Sequence, residues 1–234
     1  MSLQPARVAS EQATSERVAM VTLYGIDNSG SAAVEAALVL AGVPHRLVRA
    51  ASWAADSDQA ALQRLNPLNQ VPTLVWDDGT VMTESAAILV ELGLRHPASG
   101  LLPADPAARA QALRALVYVA ANCYAMIGVI DFPGRVVADP DEALAARVVQ
   151  GSRARLHALW DGFADTFVPA EGPAFLGGDA PGAADLLAAV VSRWSGARAH
   201  LRSSRPALSA LLARVDGHPA LAPVFDRHWP PGAP

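Results

Sequence analysis

Up to about residue 95 the apolar positions alternate between short strand-like runs and helix-period stripes; beyond it only the stripes remain. Val21 to Tyr24 form a short apolar run closed by Gly25, Asp27, Asn28 and Gly30, which predicts a strand followed by a loop. From Ser31 the spacing becomes helical, with Ala33, Ala36, Ala37, Leu40 and Ala41 at i, i+3, i+4, i+7 and i+8. Gly42 then suits a left-handed C-cap, and Pro44 forbids continuation. Residues 45–50 alternate as a second strand, so the two strands pair in parallel across a right-handed helical crossover. Residues 56–65 read as a short helical or irregular segment ending at Asn66-Pro67. Thr73 to Trp76, the turn Asp77-Asp78-Gly79 and Thr80 to Met82 predict a β-hairpin. Thr83 or Glu84 opens a further helix that runs to about Arg95.

The resulting order, β-α-β-α-β-β-α, is a thioredoxin-like α/β topology. Three prolines and a glycine crowd residues 96–106, which read as a linker. Leu113, Leu116, Val117, Ala120, Ala121 and Tyr124 then form the stripe of a long helix. Further helices are expected at about 141–167 and 183–197, with one or two shorter ones after them. The expected domains are a thioredoxin-like unit over 20–95 and an all-helical unit over 107–229. A disordered extension at 1–19 and a frayed tail at 230–234 flank them, and Met20 is a candidate start of the fold.

Composition narrows the function. Hydrophobic residues make up 52% and charged residues 17%, yet each apolar run breaks short of the roughly 18 residues that span a bilayer, so no membrane partner is expected. Residues 1–19 lack the apolar core of a signal peptide, which points to a cytoplasmic protein. The net charge of −4 and the absence of basic runs argue against a nucleic-acid partner. All 18 basic residues are arginine, which excludes Schiff-base chemistry on a lysine and a lysine-dependent phosphate loop. The single cysteine, Cys123, lies in an apolar stretch and reads as a buried structural thiol. The six histidines show no metal-ligand spacing.

The stretch Asn66-Pro67-Leu68-Asn69-Gln70-Val71-Pro72-Thr73-Leu74, followed by Thr83-Glu84-Ser85-Ala86-Ala87-Ile88, closely resembles the glutathione S-transferase superfamily. The family carries an N-P-x-x-x-V-P-x-L segment, a hairpin and an E-S-x-A-I helix start, and here about 25 contiguous residues match with the right gap. The resemblance implies a cis peptide before Pro72, which frees the Val71 backbone to pair with the cysteinyl part of glutathione by strand addition. It implies that Ser85 and the free N–H groups of its helix start hold the γ-glutamyl α-carboxylate, while Glu84 receives the ammonium. Gln70, beside the outward-facing backbone, is a further binding candidate.

For catalysis the resemblance implies a hydroxyl donor at the start of the first helix, aided by the helix dipole, to hold glutathione as a thiolate. That junction reads Asp27-Asn28-Ser29-Gly30-Ser31, and Ser29 corresponds to the serine used by bacterial serine-type relatives of the theta, beta or zeta kind. Asn28 is an alternative amide donor, Ser31 a plain cap and Tyr24 a packing residue. The arginine pair that often follows the serine is replaced by Ala32-Ala33-Val34-Glu35. The absence of a cysteine here disfavours the cysteine-using classes.

Further along, Phe175 to Gly178 and Gly182-Ala183-Ala184-Asp185 resemble the family's capping-box folding motif, with Gly182 in place of the capping hydroxyl. The implied activity is conjugation of glutathione, as co-substrate, to a hydrophobic electrophile. Glutathione-dependent isomerisation or dehalogenation, or a non-catalytic binding role, are the alternatives. Tyr118, Asn122, Tyr124, Met126 and Phe132 are in range of the co-substrate, whereas Trp160 and Trp194 are expected in the core. A homodimer is implied.

Overall fold

The central strand is β1 (Val21–Gly25), flanked by β2 (His45–Arg49) in parallel and β3 (Thr73–Val75) antiparallel, with β4 (Val81–Thr83) completing the order β2-β1-β3-β4. The computed structural model describes residues 20–168 and 172–230; the expected extension at 1–19 and positions 231–234 of the expected tail lie outside them. Between the strands run α1 (Ser31–Leu40) and α2 (Gln59–Leu65), and α3 (Ser85–Arg95) follows β4, a thioredoxin-like unit. The Asp77–Gly79 turn works as its residues dictate. Gly79 takes φ +85°, and the Asp78 carboxylate accepts from the Thr80 N–H at 2.8 Å.

Two Ala-rich helices form the heart of the molecule. In α1 every residue from Ser31 to Leu38 is buried, because the helix packs on β1, α3, α7 (Ala183–Val191) and α10 (Ala222–His228). All of α7 is buried in turn. Small side chains allow these backbones to approach, and the few polar residues among them need internal partners.

After a 3₁₀ turn at Pro97–Ser99, α4 (Pro106–Tyr118) begins on a proline, with the Asp105 carboxylate accepting from the Ala108 N–H at 2.7 Å. A π-helical segment, Val119–Tyr124, joins α4 to α5 (Ala125–Asp131) without a break. This 26-residue stretch has a window of mean hydropathy 1.7 that is only 33% buried, so by length and composition it could cross a membrane, contrary to the expectation from apolar runs. The long α6 (Glu142–Phe167) packs along it.

The helix expected at 183–197 ends at Val191. Ser195 and Gly196 adopt φ +57° and +78°, which no helix continues, and α8 (Ala197–Ser204) starts afresh, followed by α9 (Pro206–Asp216) and α10. Three helices therefore finish the described chain where one or two were expected. Gly182 caps α7 without a hydroxyl, and the reason is steric. A Cβ there would lie 3.1 Å from the Leu101 carbonyl oxygen, the same oxygen that accepts from the Ala183 N–H. Asp185 keeps its half of the capping box, accepting from the N–H groups of Gly182 and Leu176 at 2.9 Å each.

Candidate active site

A cavity of about 520 Å³ opens between the sheet-bearing half and the π-helical segment, α5 and α7. Its lining draws on four places in the first half: Asn28 to Gly30, Ser52-Trp53, the loop Asn66 to Pro72, and Thr83 to Ala86. Ser29, Gln70, Val71, Pro72, Glu84 and Ser85, separated by up to 56 positions in the chain, all border this one space.

The loop before β3 is held from beneath. Asn66 is buried and its amide donates to the Gln70 carbonyl at 3.0 Å and to the Thr73 hydroxyl at 3.2 Å. The Thr73 hydroxyl donates to the same Gln70 carbonyl at 2.9 Å, and the Asn66 Oδ1 accepts from the Leu68 N–H at 3.1 Å. With Gln70 pinned, the Val71–Pro72 peptide is cis and the Val71 N–H and C=O take no hydrogen bond among the described residues. A backbone donor and acceptor at the wall of a cavity are free to pair with an extended ligand.

Glu84 precedes α3 at φ +64°, and Ser85 begins the helix, buried, with no hydrogen bond to its hydroxyl among the described residues. Of the five non-glycine residues with positive φ among the described residues, three (Asn28, Asn69 and Glu84) line the cavity. Such conformations cost of order 1–3 kcal/mol each, and their concentration here marks a region shaped for something other than stability. The buried Oδ1 of Asn69 also lacks a partner among the described residues.

At the start of α1, Ser29 is 4% exposed and its hydroxyl donates to the Ile26 carbonyl at 2.6 Å. The Ser31 hydroxyl lies 2.7 Å from it and 3.2 Å from the same carbonyl. The two hydroxyls thus compete for one acceptor, and if Ser31 takes it the Ser29 proton is released. Gly30 carries no side-chain cap, and Tyr24 at the end of β1 is absent from the cavity wall.

The helical half supplies Ala120, Tyr124, Ala125, Ile127, Gly128, Asp131, Phe132, Arg135, Leu187 and Trp194, a largely apolar wall. Of the residues expected near a co-substrate, Tyr124 and Phe132 face the cavity. Tyr118 instead donates to the Leu159 carbonyl at 2.9 Å and packs on Phe163 and Phe167. The Asn122 amide is taken up by the Tyr118 carbonyl at 3.1 Å, and Met126 packs on the core. Trp160 is fully buried, but Trp194 lines the cavity with its ring 5.7 Å from that of Tyr124, because the helix ends before it and turns it inward.

Tyr124 is held in a defined way. A Cβ built on Gly30 would overlap the Tyr124 hydroxyl and lie 3.3 Å from its Cζ and 3.4 Å from the Ser85 hydroxyl, so this space exists only because residue 30 is glycine. Burial, with Glu84 and Asp131 nearby, pushes the Tyr124 phenol up to about 12, which keeps it protonated and a donor. Burial likewise raises the Asp131 carboxyl and pushes the Cys123 thiol to about 12, so Cys123 is inert. No cluster of metal-binding side chains occurs among the described residues.

Asn66, Asn69, Trp53, Asp131, Arg135 and Trp194 were not foreseen as site residues. Asn66 opens the Asn-Pro motif and its identity was visible; its buried role was not.

Comparison with known proteins agrees with this geometry. Residues 31–94 match the family model for the glutathione S-transferase N-terminal domain. The chain is 34% identical over 132 residues, 56% of its length, to the uncharacterized GST-like protein YncG of Escherichia coli. It is 42% identical over 67 residues, 29% of its length, to a probable maleylacetoacetate isomerase of Caenorhabditis elegans. The matches span 64% and 31% of those relatives' own lengths. A glutathione transferase homologue from Sulfitobacter, solved with bound glutathione, superposes with a TM-score of 0.77 over 89% of this chain and 98% of that one, at 23% identity. Over residues 31–94 the chain therefore matches the glutathione S-transferase N-terminal domain, and its two-part fold is that of solved glutathione transferases.

Proposed function

We propose that the protein binds reduced glutathione, as co-substrate, in the cavity beside α1 and α3 and transfers it to an apolar electrophile. The observation that carries this reading is the convergence on one space of a Val71 backbone and a Ser85 hydroxyl at the start of a helix, neither paired among the described residues. The Val71 N–H and C=O take the cysteinyl backbone. Ser85 and the first N–H groups of α3 take the α-carboxylate, Glu84 the ammonium, and Gln70 the backbone beyond. Ser29, freed when Ser31 takes over the Ile26 carbonyl, donates to the thiolate.

Free glutathione thiol resembles cysteine, near pKa 8.5, so lowering it by about two units requires roughly 2.7 kcal/mol of preference for the thiolate. One charge-assisted hydrogen bond of about 1.5–3 kcal/mol and the α1 dipole together cover that. The apolar wall of Ile127, Phe132, Leu187 and Trp194 is where the electrophile lies, and proximity supplies the rest of the rate.

The match to a probable maleylacetoacetate isomerase supports a second reading, in which the same thiolate adds and leaves again without a released conjugate. On either reading residues 20–95 form the glutathione-binding domain and 107–229 the helical domain, in a cytoplasmic protein suited to detoxification. A homodimer fits the exposed apolar side chains Val81 of β4, Leu94 of α3 and Val117 of α4, the last on the poorly buried apolar helix.

The test is steady-state turnover of glutathione with an activated aryl halide and with a cis-olefinic acid. Conjugate release supports transfer and isomer release the second reading. Unaltered turnover in Ser29→Ala removes the Ser29 assignment, and inactivity with both substrates favours a carrier.

A further inference from the structure

Resting on the glutathione reading above, we infer that Tyr124, from the helical half, is a second hydrogen-bond donor to the thiolate, facing Ser29 across the start of α1. With the α-carboxylate at Ser85 and the cysteinyl backbone at Val71, the thiol falls between the first residues of α3 and α1. The Tyr124 hydroxyl occupies that gap: a Cβ on Gly30 would overlap it, and the same point lies 3.4 Å from the Ser85 hydroxyl.

Three observations make it a donor to a ligand and not a packing residue. The hydroxyl has no hydrogen-bond partner among the described residues, although the ring is half-buried. Tyr118, one turn and a half earlier on the same helix, has its hydroxyl satisfied by the Leu159 carbonyl at 2.9 Å, so an unsatisfied phenol is not the habit of this helix. The ring is also fixed by Trp194, at 5.7 Å between centroids, so the hydroxyl is aimed before a ligand arrives.

The phenol stays protonated near neutral pH because burial pushes it up to about 12, so it gives a hydrogen bond and takes no proton. The thiol proton leaves to water at the open mouth of the cavity. Tyr124 thereby ties thiolate stabilisation to the correct docking of the helical half on α1.

Tyr124→Phe tests this in the full chain. The pKa of bound glutathione is read from thiolate absorbance, and affinities for glutathione and S-methylglutathione are measured in parallel. Losing one donor to a thiolate should raise the bound pKa by about one to two units, a roughly ten- to hundredfold loss of thiolate at a fixed pH well below the wild-type bound pKa. Binding of S-methylglutathione, which has no thiolate to hold, should be nearly unchanged, and this also reports that the variant is folded. An unchanged bound pKa in Tyr124→Phe overturns the inference while leaving the glutathione site standing. Failure of the wild type to bind either peptide overturns the underlying reading and this inference with it.

Discussion

His228, on the last helix, donates from Nε2 to the Glu35 carboxylate in the middle of the first, at 2.8 Å and with both side chains buried. Arg227 also reaches Glu35 and balances its charge. The Nδ1 of His228 has no partner among the described residues, so a second proton there would be a buried, unpaired donor. Burial pushes His228 down to about 4 from its usual 6.5, opposed by Asp27 and assisted by Arg227 and Arg193. The sign follows directly. The unfolded chain takes up a proton near pH 6.5 and the folded one only near 4, so this stability is present above 6.5 and lost as pH falls between them. Its size is on the order of 3 kcal/mol. Urea midpoints from pH 7 to pH 4 should fall in the wild type and fall less steeply in His228→Gln, which keeps a donor to Glu35. Identical slopes would remove His228 as the cause.

The contact of Gly30 with Tyr124 predicts a coupling in stability. Gly30 has ordinary helical backbone angles, so alanine introduces no backbone strain. Its Cβ must nevertheless displace the phenol, and overpacking of this kind costs about 1–3 kcal/mol. In a Tyr124→Phe background the oxygen is gone and the cost of Gly30→Ala should shrink by about 1 kcal/mol in a double-mutant cycle of denaturation free energies. Simple additivity would mean the two residues do not touch in solution.

The start of α7 makes a counter-intuitive prediction. Replacing a glycine cap by serine usually helps by a few tenths of a kcal/mol. Here Gly182→Ser should lower the melting temperature, because the new Cβ meets the Leu101 backbone oxygen at 3.1 Å. Asp185→Ala should cost about 2–4 kcal/mol, since two backbone N–H groups lose their acceptor. A stabilising Gly182→Ser would contradict the steric account.

Asn66→Ala should loosen the binding loop without touching the ligand. It removes the donor that Gln70 and Thr73 share and the acceptor for Leu68. Calorimetry should register a glutathione affinity about tenfold weaker, on top of a stability loss of about 1–3 kcal/mol. Undiminished affinity would show that the Gln70–Val71 backbone holds its position by itself.

The sheet and its connections were legible because each depends on local spacing. Gly42 and Pro44 punctuate α1, Asp78-Gly79 fixes the hairpin, and the Asn-Pro and Val-Pro pairs frame the loop between α2 and β3. The helix through residue 197 was overextended because the left-handed turn at Ser195-Gly196 depends on one serine whose φ no pattern announces. Trp194 looked like core for the same reason: its facing depends on where the preceding helix stops. Tyr124 could be placed on the right helix from its stripe, but its position over Gly30 arises from a π-helical turn and from α1 packing beneath it, both products of tertiary contact. The buried hydrogen bond between Glu35 and His228, 193 positions apart, had no local signal at all.

The central claim is that one cavity binds glutathione and activates its thiol. Isothermal titration of the purified protein with reduced glutathione, with thiolate absorbance followed near neutral pH, tests it most directly. Saturable binding accompanied by a thiolate signal is the predicted result. Absence of binding, or binding in which the thiol stays protonated until near its free pKa of about 8.5, would contradict it.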